Sequence, residues 1–167
     1  MDSKIEIERK YIIKKPSVES MRSMDNYTES RITQIYLESE RGETHRVRSR
    51  IYPDKSVYTE TVKRRVDEMS AYEDEWEISE SEFSIKSKGI DKSTRPIVKE
   101  RYTFSYGGAV VEIDVYPEWE YHAIMETELE SRASVVEIPE FIEIVREVTG
   151  EREYSNASMS RAFPPES

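Results

Sequence analysis

Lys4-Ile5-Glu6-Ile7-Glu8-Arg9-Lys10-Tyr11-Ile12-Ile13-Lys14 is the stretch on which the reading of this chain turns. Ile5, Ile7, Tyr11 and Ile13 fall at odd positions, and Glu6, Glu8 and Lys10 at even ones. Successive side chains of a strand point to opposite faces, so the two sets separate. In a helix, Glu6 and Lys10 would instead form a surface ion pair four residues apart. The period of two runs through the whole segment, which makes it a strand with one apolar and one charged face.

The same division recurs along the chain. Arg46, Arg48 and Arg50 lie opposite Val47 and Ile51, and Thr59, Thr61 and Lys63 opposite Tyr58 and Val62. Glu73, Glu75 and Glu77 oppose Tyr72, Trp76 and Ile78, while Lys99 and Arg101 oppose Val98, Tyr102 and Phe104. Glu112 and Asp114 oppose Val111, Ile113 and Val115; Glu126, Glu128 and Glu130 oppose Met125 and Leu129. The spacing predicts strands over 4–14, 30–38, 44–52, 56–66, 71–79, 96–106, 109–117 and 122–131. Arg41-Gly42, Pro53-Asp54 and Gly107-Gly108 supply turn chemistry between them. Short helices are expected over 16–24, entered at Pro16, and over 79–88, ended by Gly89. Another is expected over 139–148, where Phe141, Ile142, Val145 and Val148 fall at helical spacing before Gly150. A last helical turn is expected over 156–161. Eight strands with few helices give an α+β chain: one domain over residues 1–167, built as an eight-stranded antiparallel β-barrel with flanking helices.

Composition narrows the chemistry. The 167 residues contain no cysteine, which excludes disulfides, thiolate metal sites and a cysteine nucleophile. No apolar run approaches the roughly 20 residues of a membrane span, and residues 1–10 lack the apolar core of a signal peptide, so the expected compartment is the cytosol. The net charge of −10 repels polyanions at long range, against nucleic-acid or anionic-membrane binding, yet leaves room for a small phosphate ligand held by local cations. Charged residues make up 36% of the chain, a content compatible with disorder, but 10% are aromatic and β-branched positions abound, so the chain folds. His45, His122, Trp76 and Trp119 are read as surface or packing residues, and the tail at Phe163-Pro164-Pro165 as frayed.

A single strand of this kind is ordinarily a solvated face over a core. Two features point elsewhere. Arginine runs and glutamate runs are segregated by strand, and a sheet of eight strands tends to close, so the charged faces go either outside or into the lumen. Burying unpaired ions costs about several kcal/mol each even after relaxation, though opposite charges within a lining can pair. A lumen with dense carboxylates beside dense guanidinium and ammonium groups suits a hard divalent cation together with a polyanion. That combination describes a metal–polyphosphate site.

The residues that carry this pattern resemble the CYTH, or triphosphate tunnel metalloenzyme, superfamily. Glu6-Ile7-Glu8-Arg9-Lys10 is similar to its Glu-x-Glu-x-Lys opening. Gln34-Ile35-Tyr36-Leu37, Arg46-Val47-Arg48, Thr61-Val62-Lys63, Glu75-Trp76-Glu77-Ile78 and Lys99-Glu100-Arg101 follow in the family's order. So do Glu112-Ile113-Asp114-Val115, Glu126-Thr127-Glu128-Leu129, Glu147-Val148-Thr149 and Tyr154-Ser155-Asn156. Ile35 departs from the glycine of many relatives and is expected to face outward. The resemblance implies an eight-stranded tunnel that binds a triphosphate with Mg²⁺ or Mn²⁺. It places Glu6, Glu8, Asp114, Glu126 and Glu128 around the metal, and Lys10, Arg46, Arg48, Lys63, Lys99 and Arg101 on the phosphates. It gives Glu75 and Glu77 a supporting role, and Arg161 a place near one tunnel mouth.

The implied chemistry is hydrolysis of the terminal phosphoanhydride of inorganic tripolyphosphate or a nucleoside triphosphate. Lys10 would neutralise charge on the transferred group, and either Glu126 or Glu128 would position the attacking water. The alternatives are a class IV adenylyl cyclase or thiamine triphosphatase on the same fold, or a non-catalytic polyphosphate-binding module. The expected partner is a small-molecule triphosphate, with neither nucleic acid nor membrane; a homodimer is possible.

Overall fold

The computed structural model describes residues 4–166. Its strands are β1 (Lys4–Lys14), β2 (Asp25–Leu37), β3 (Glu43–Ile51), β4 (Ser56–Arg65), β5 (Ser70–Ile78), β6 (Ile97–Tyr106), β7 (Ala109–Val115), β8 (His122–Glu128) and β9 (Ile144–Glu147). Three short helices, α1 (Val18–Arg22), α2 (Glu80–Ser87) and α3 (Asn156–Arg161), sit between or after them. The hydrogen-bonded order is β5-β4-β3-β2-β6-β7-β8-β1-β9, and an additional β5–β1 pairing closes eight strands into a ring. All pairings are antiparallel.

Local sequence accounts for most of this. Gly107 and Gly108, with φ of 58° and 74°, form the two-residue turn between β6 and β7 that other residues adopt only with strain. Ser79 caps α2, and Glu82 returns the bond to the Ser79 backbone. Closure depends on β1. Its first half pairs with β5, from Lys4 opposite Glu73 to Ile7 opposite Ser70, and its second half with β8, from Glu8 opposite Glu128 to Lys14 opposite His122.

The helix expected over 139–148 is not there. Phe141 and Ile142 pack against the core from a turn, and Ile144–Glu147 forms β9, which pairs with β1 at Tyr11–Ile13. β1 has outrun β5 at that point, and the exposed edge takes up the β-branched Ile144 and Val145 as a strand. The tail is not frayed either. Phe163 packs on Tyr116 and Trp119, Trp119 donates its indole N–H to the Pro164 carbonyl at 2.9 Å, and Glu166 accepts backbone N–H groups from Glu120, Tyr121 and His122.

Apolar side chains occupy three places. Outside the ring, α1 and residues 136–142 cover Tyr11, Ile13, Phe104, Val111, Ile113 and Met125. Also outside, α2 covers Ile35, Val47 and Ile78, so Ile35 does face outward. The third cluster lies within the ring. Ile12, Tyr36, Ile97, Tyr116 and Ile124 each stand two residues from an inward polar side chain (Lys10, Gln34, Lys99, Asp114 and Glu126) and therefore share its face. The inner surface thus changes along its length from ionic to apolar, and Trp119, Tyr154 and Met159 cover the apolar end.

Candidate active site

The ionic part of the inner surface encloses a cavity of about 570 Å³, within the range that holds a small ligand. β1 contributes Glu6, Glu8 and Lys10 to its lining, β3 Arg46 and Arg48, and β4 Lys63. Glu75 of β5, Arg101 of β6, and Glu126 and Glu128 of β8 complete the expected set there. Lys99 and Asp114 are on the same face but are packed behind the cavity, joined to each other at 2.7 Å. Glu77 is exposed at the end of β5 and does not line the cavity. Arg161 lines it and is paired with Asp91 at 3.3 Å.

Sequence reasoning passed over Glu73 and Glu112, which line the same cavity. The signal was present: each stands two residues before an expected site residue, Glu75 and Asp114, on the same strand face. Gln34, Tyr36 and Arg50 also line it.

The ring brings the two signs of charge together in separate walls. On the acidic side, Glu8 is forced well above the ordinary carboxylate range by burial and by Glu126 and Glu6 beside it. Burial and the Glu6 charge push Glu73 up to about 7; burial and Glu112 push Glu128 up to about 8. Glu6 and Glu126 go the other way. For Glu6, burial is outweighed by Lys63, 2.9 Å away. For Glu126, burial is outweighed by Lys10 and Arg101, which hold it at about 2, with Lys10 at 3.4 Å. On the basic side, burial together with Arg46 and Arg101 draws the Arg48 guanidinium down to about 10. Each wall is a crowd of like charges that an ion of opposite sign would relieve.

Several cations are already committed. Arg101 spans Asp114 with two bonds of 2.8 and 2.9 Å and reaches Glu112 at 3.0 Å. Lys10 donates to the Tyr154 carbonyl at 3.1 Å, tying β1 to the turn before α3. Glu75 accepts from Thr61 at 2.8 Å and lies 3.7 Å from Arg48. Arg46 and Arg48 are less engaged: their Nε groups are buried and make no hydrogen bond to another described residue.

Comparison with models of protein families finds no match, and no curated protein matches the chain. Solved structures do. The inorganic triphosphatase NE1496 superposes over 95% of this chain and 96% of its own, at 22% identity and a TM-score of 0.59. A conserved hypothetical protein of Pyrococcus furiosus matches over 77% of this chain and 80% of its own, at 23% identity and a TM-score of 0.56. A protein of Bacillus halodurans, provisionally assigned as an adenylate cyclase, matches over 78% and 83%, at 16% identity and a TM-score of 0.50. The chain shares the fold of these structures.

Whether this tunnel suits a divalent cation can be judged from its own donors. Glu6, Glu8, Glu73, Glu126 and Glu128 offer the hard oxygens that Mg²⁺ and Mn²⁺ prefer, and Glu8 Oε2 is buried without a hydrogen bond to any described residue. The set fits. Asp114 is different, since Arg101 and Lys99 occupy both of its oxygens. Among the described residues no three carboxylates already stand close enough to cage an ion. Mg²⁺ is ordinarily held by one or two carboxylates plus substrate phosphates and water, so a looser carboxylate wall is compatible with it.

Proposed function

We propose that this chain is a metal-dependent triphosphatase that cleaves the terminal phosphoanhydride of inorganic tripolyphosphate or a nucleoside triphosphate in its tunnel. One observation carries the reading: a single cavity is lined on one side by crowded carboxylates and on the other by under-partnered guanidinium groups. The shared fold with an inorganic triphosphatase supports it.

In this reading Arg46, Arg48 and Lys63 bind and orient the phosphate chain, and Lys10 neutralises the group being transferred. Glu6, Glu8, Glu126 and Glu128 would hold Mg²⁺ or Mn²⁺, which when bound supplies Lewis-acid stabilisation of phosphoryl oxygens. Either Glu126 or Glu128 positions the attacking water, as both line the cavity, Glu126 opposite Lys10 and Glu128 opposite Glu8. Asp114, which the family resemblance groups with the metal, instead fixes Arg101 and Lys99 behind the phosphate wall. The transition state of phosphoryl transfer spreads charge over its outer oxygens, so positioned cations are the main source of acceleration. No helix among the described residues is long and apolar enough to cross a membrane, and we read the chain as cytosolic.

The test is orthophosphate release from tripolyphosphate and from ATP, with Mg²⁺, Mn²⁺ or EDTA. Release that requires the metal is expected. Pyrophosphate from ATP would instead indicate a cyclase, and tight tripolyphosphate binding without turnover would indicate a binding module.

A further inference from the structure

Gln34 is fully buried on the inner face of β2, opposite Arg48 across the β2–β3 pairing, and it lines the cavity. Its amide nitrogen donates to the Tyr36 hydroxyl at 3.0 Å, while its Oε1 makes no hydrogen bond to any described residue. Tyr36 accepts from Gln34 there, and its own hydroxyl donates to no described residue. The two ends of a carboxamide differ only in which atom is nitrogen. Turned by half a rotation, the amide gives Tyr36 an acceptor in Oε1 and directs its N–H groups into the cavity. An unpartnered oxygen beside the basic wall becomes a donor facing an anion site.

We infer that Gln34 is a substrate-binding residue, its amide nitrogen donating to a phosphoryl oxygen held between Arg46 and Arg48, with Tyr36 fixing the amide's orientation. This rests on the triphosphate reading of the tunnel and adds to it a neutral donor beside the cations. A neutral amide contributes a directed hydrogen bond without adding to the crowding that already depresses Arg48.

The experiment is calorimetric titration of tripolyphosphate into the full chain in metal-free buffer, with orthophosphate release measured in parallel with Mg²⁺. Gln34→Leu, Gln34→Glu and Tyr36→Phe are compared with the wild type. Gln34→Leu should bind about ten- to a hundredfold more weakly, the worth of a hydrogen bond to a charged group. Gln34→Glu should be weaker still, because a carboxylate would face the phosphate. Tyr36→Phe leaves the packing in place and should lose part of the same affinity, with no additional loss when combined with Gln34→Leu. Undiminished affinity in Gln34→Leu overturns the inference. So does wild-type affinity in Gln34→Glu, which would make residue 34 an acceptor that positions the arginines. If Gln34→Leu does not fold, Tyr36→Phe decides alone, and unchanged binding there refutes the orientation. A wild type that neither binds nor hydrolyses tripolyphosphate refutes the underlying triphosphate reading instead.

Discussion

Asp114 and Glu128 are acidic residues on the inner faces of neighbouring strands, β7 and β8, yet they are in opposite chemical states. Asp114 is almost completely buried and takes two bonds from Arg101 and one contact from Lys99. Burial is outweighed by those two cations, and its carboxyl is held far below the ordinary range. Among the described residues Glu128 has no ion-pair partner; burial and Glu112 raise it to about 8. Glu8, half-buried and with an Oε2 that makes no hydrogen bond to any described residue, belongs with Glu128. A carboxylate whose counter-charges are built into the fold is scaffold. One left crowded and unpaired has capacity for a ligand, and perturbed groups of this second kind gather at functional sites.

The sharpest way to break this distinction is Asp114→Asn. It would leave Lys99 buried without its anion and Arg101 with Glu112 alone, and removing one partner of a buried pair costs about 3–5 kcal/mol. Lys99 can shed its proton, since burial already draws it down to about 7 against the pull of Asp114, but Arg101 cannot. Urea denaturation should show the loss, and added Mg²⁺ should not restore it. A variant with wild-type stability, whose activity recovers at high Mg²⁺, would make Asp114 a metal ligand after all.

Glu8→Gln should behave in the reverse manner. Turnover is expected to fall on the order of 10²–10³, the loss typical of one preorganised electrostatic contact. Stability should hold or rise near neutral pH, because the substitution removes a carboxylate that burial and two acidic neighbours disfavour. Orthophosphate release and thermal melts on the same preparation check both halves. Undiminished release would remove Glu8 from the site.

Why the sequence revealed the ring and its ionic lumen, but not this division, follows from what alternation encodes. A period of two says which side of a strand a residue faces, and on that basis Glu6, Lys10, Arg48 and Glu126 were read onto one face, the face that lines the cavity. It does not say which opposite charges meet. Lys99 and Asp114 look like lumen ligands in sequence, and only the register of β6 on β7, with Arg101 opposite Asp114, shows them saturating one another. The apolar end of the tunnel left a trace in Tyr11-Ile12-Ile13, where β1 stops alternating because both faces are covered there. β9 was read as a helix because four apolar residues at helical spacing are a local signal, whereas the free edge of β1 that pairs with it lies about 130 residues away in sequence.

The pH dependence of stability separates the two kinds of carboxylate without any substitution. Glu73, at about 7, and Glu128, at about 8, keep protons in the native state that the unfolded chain releases near 4.5. The native state then binds more protons than the unfolded one, so stability should fall as pH rises from about 4.5 to 8. Lys99 acts in the opposite direction from about pH 7 to 10.5, where the unfolded chain holds a proton that the native state has lost, so the decline should be steepest between 4.5 and 7. Asp114 contributes elsewhere. Its depressed pKa stabilises the native state above about 3.8, and that contribution is lost only as the solution becomes more acidic. Urea midpoints measured from pH 5 to 7 should therefore decline, and Glu128→Gln should flatten the decline. Saturating Mg²⁺ should flatten it too, because a cation that binds the ionised wall favours the native state by mass action. A slope indifferent to both would mean that the acidic wall is relieved by solvent rather than poised for an ion.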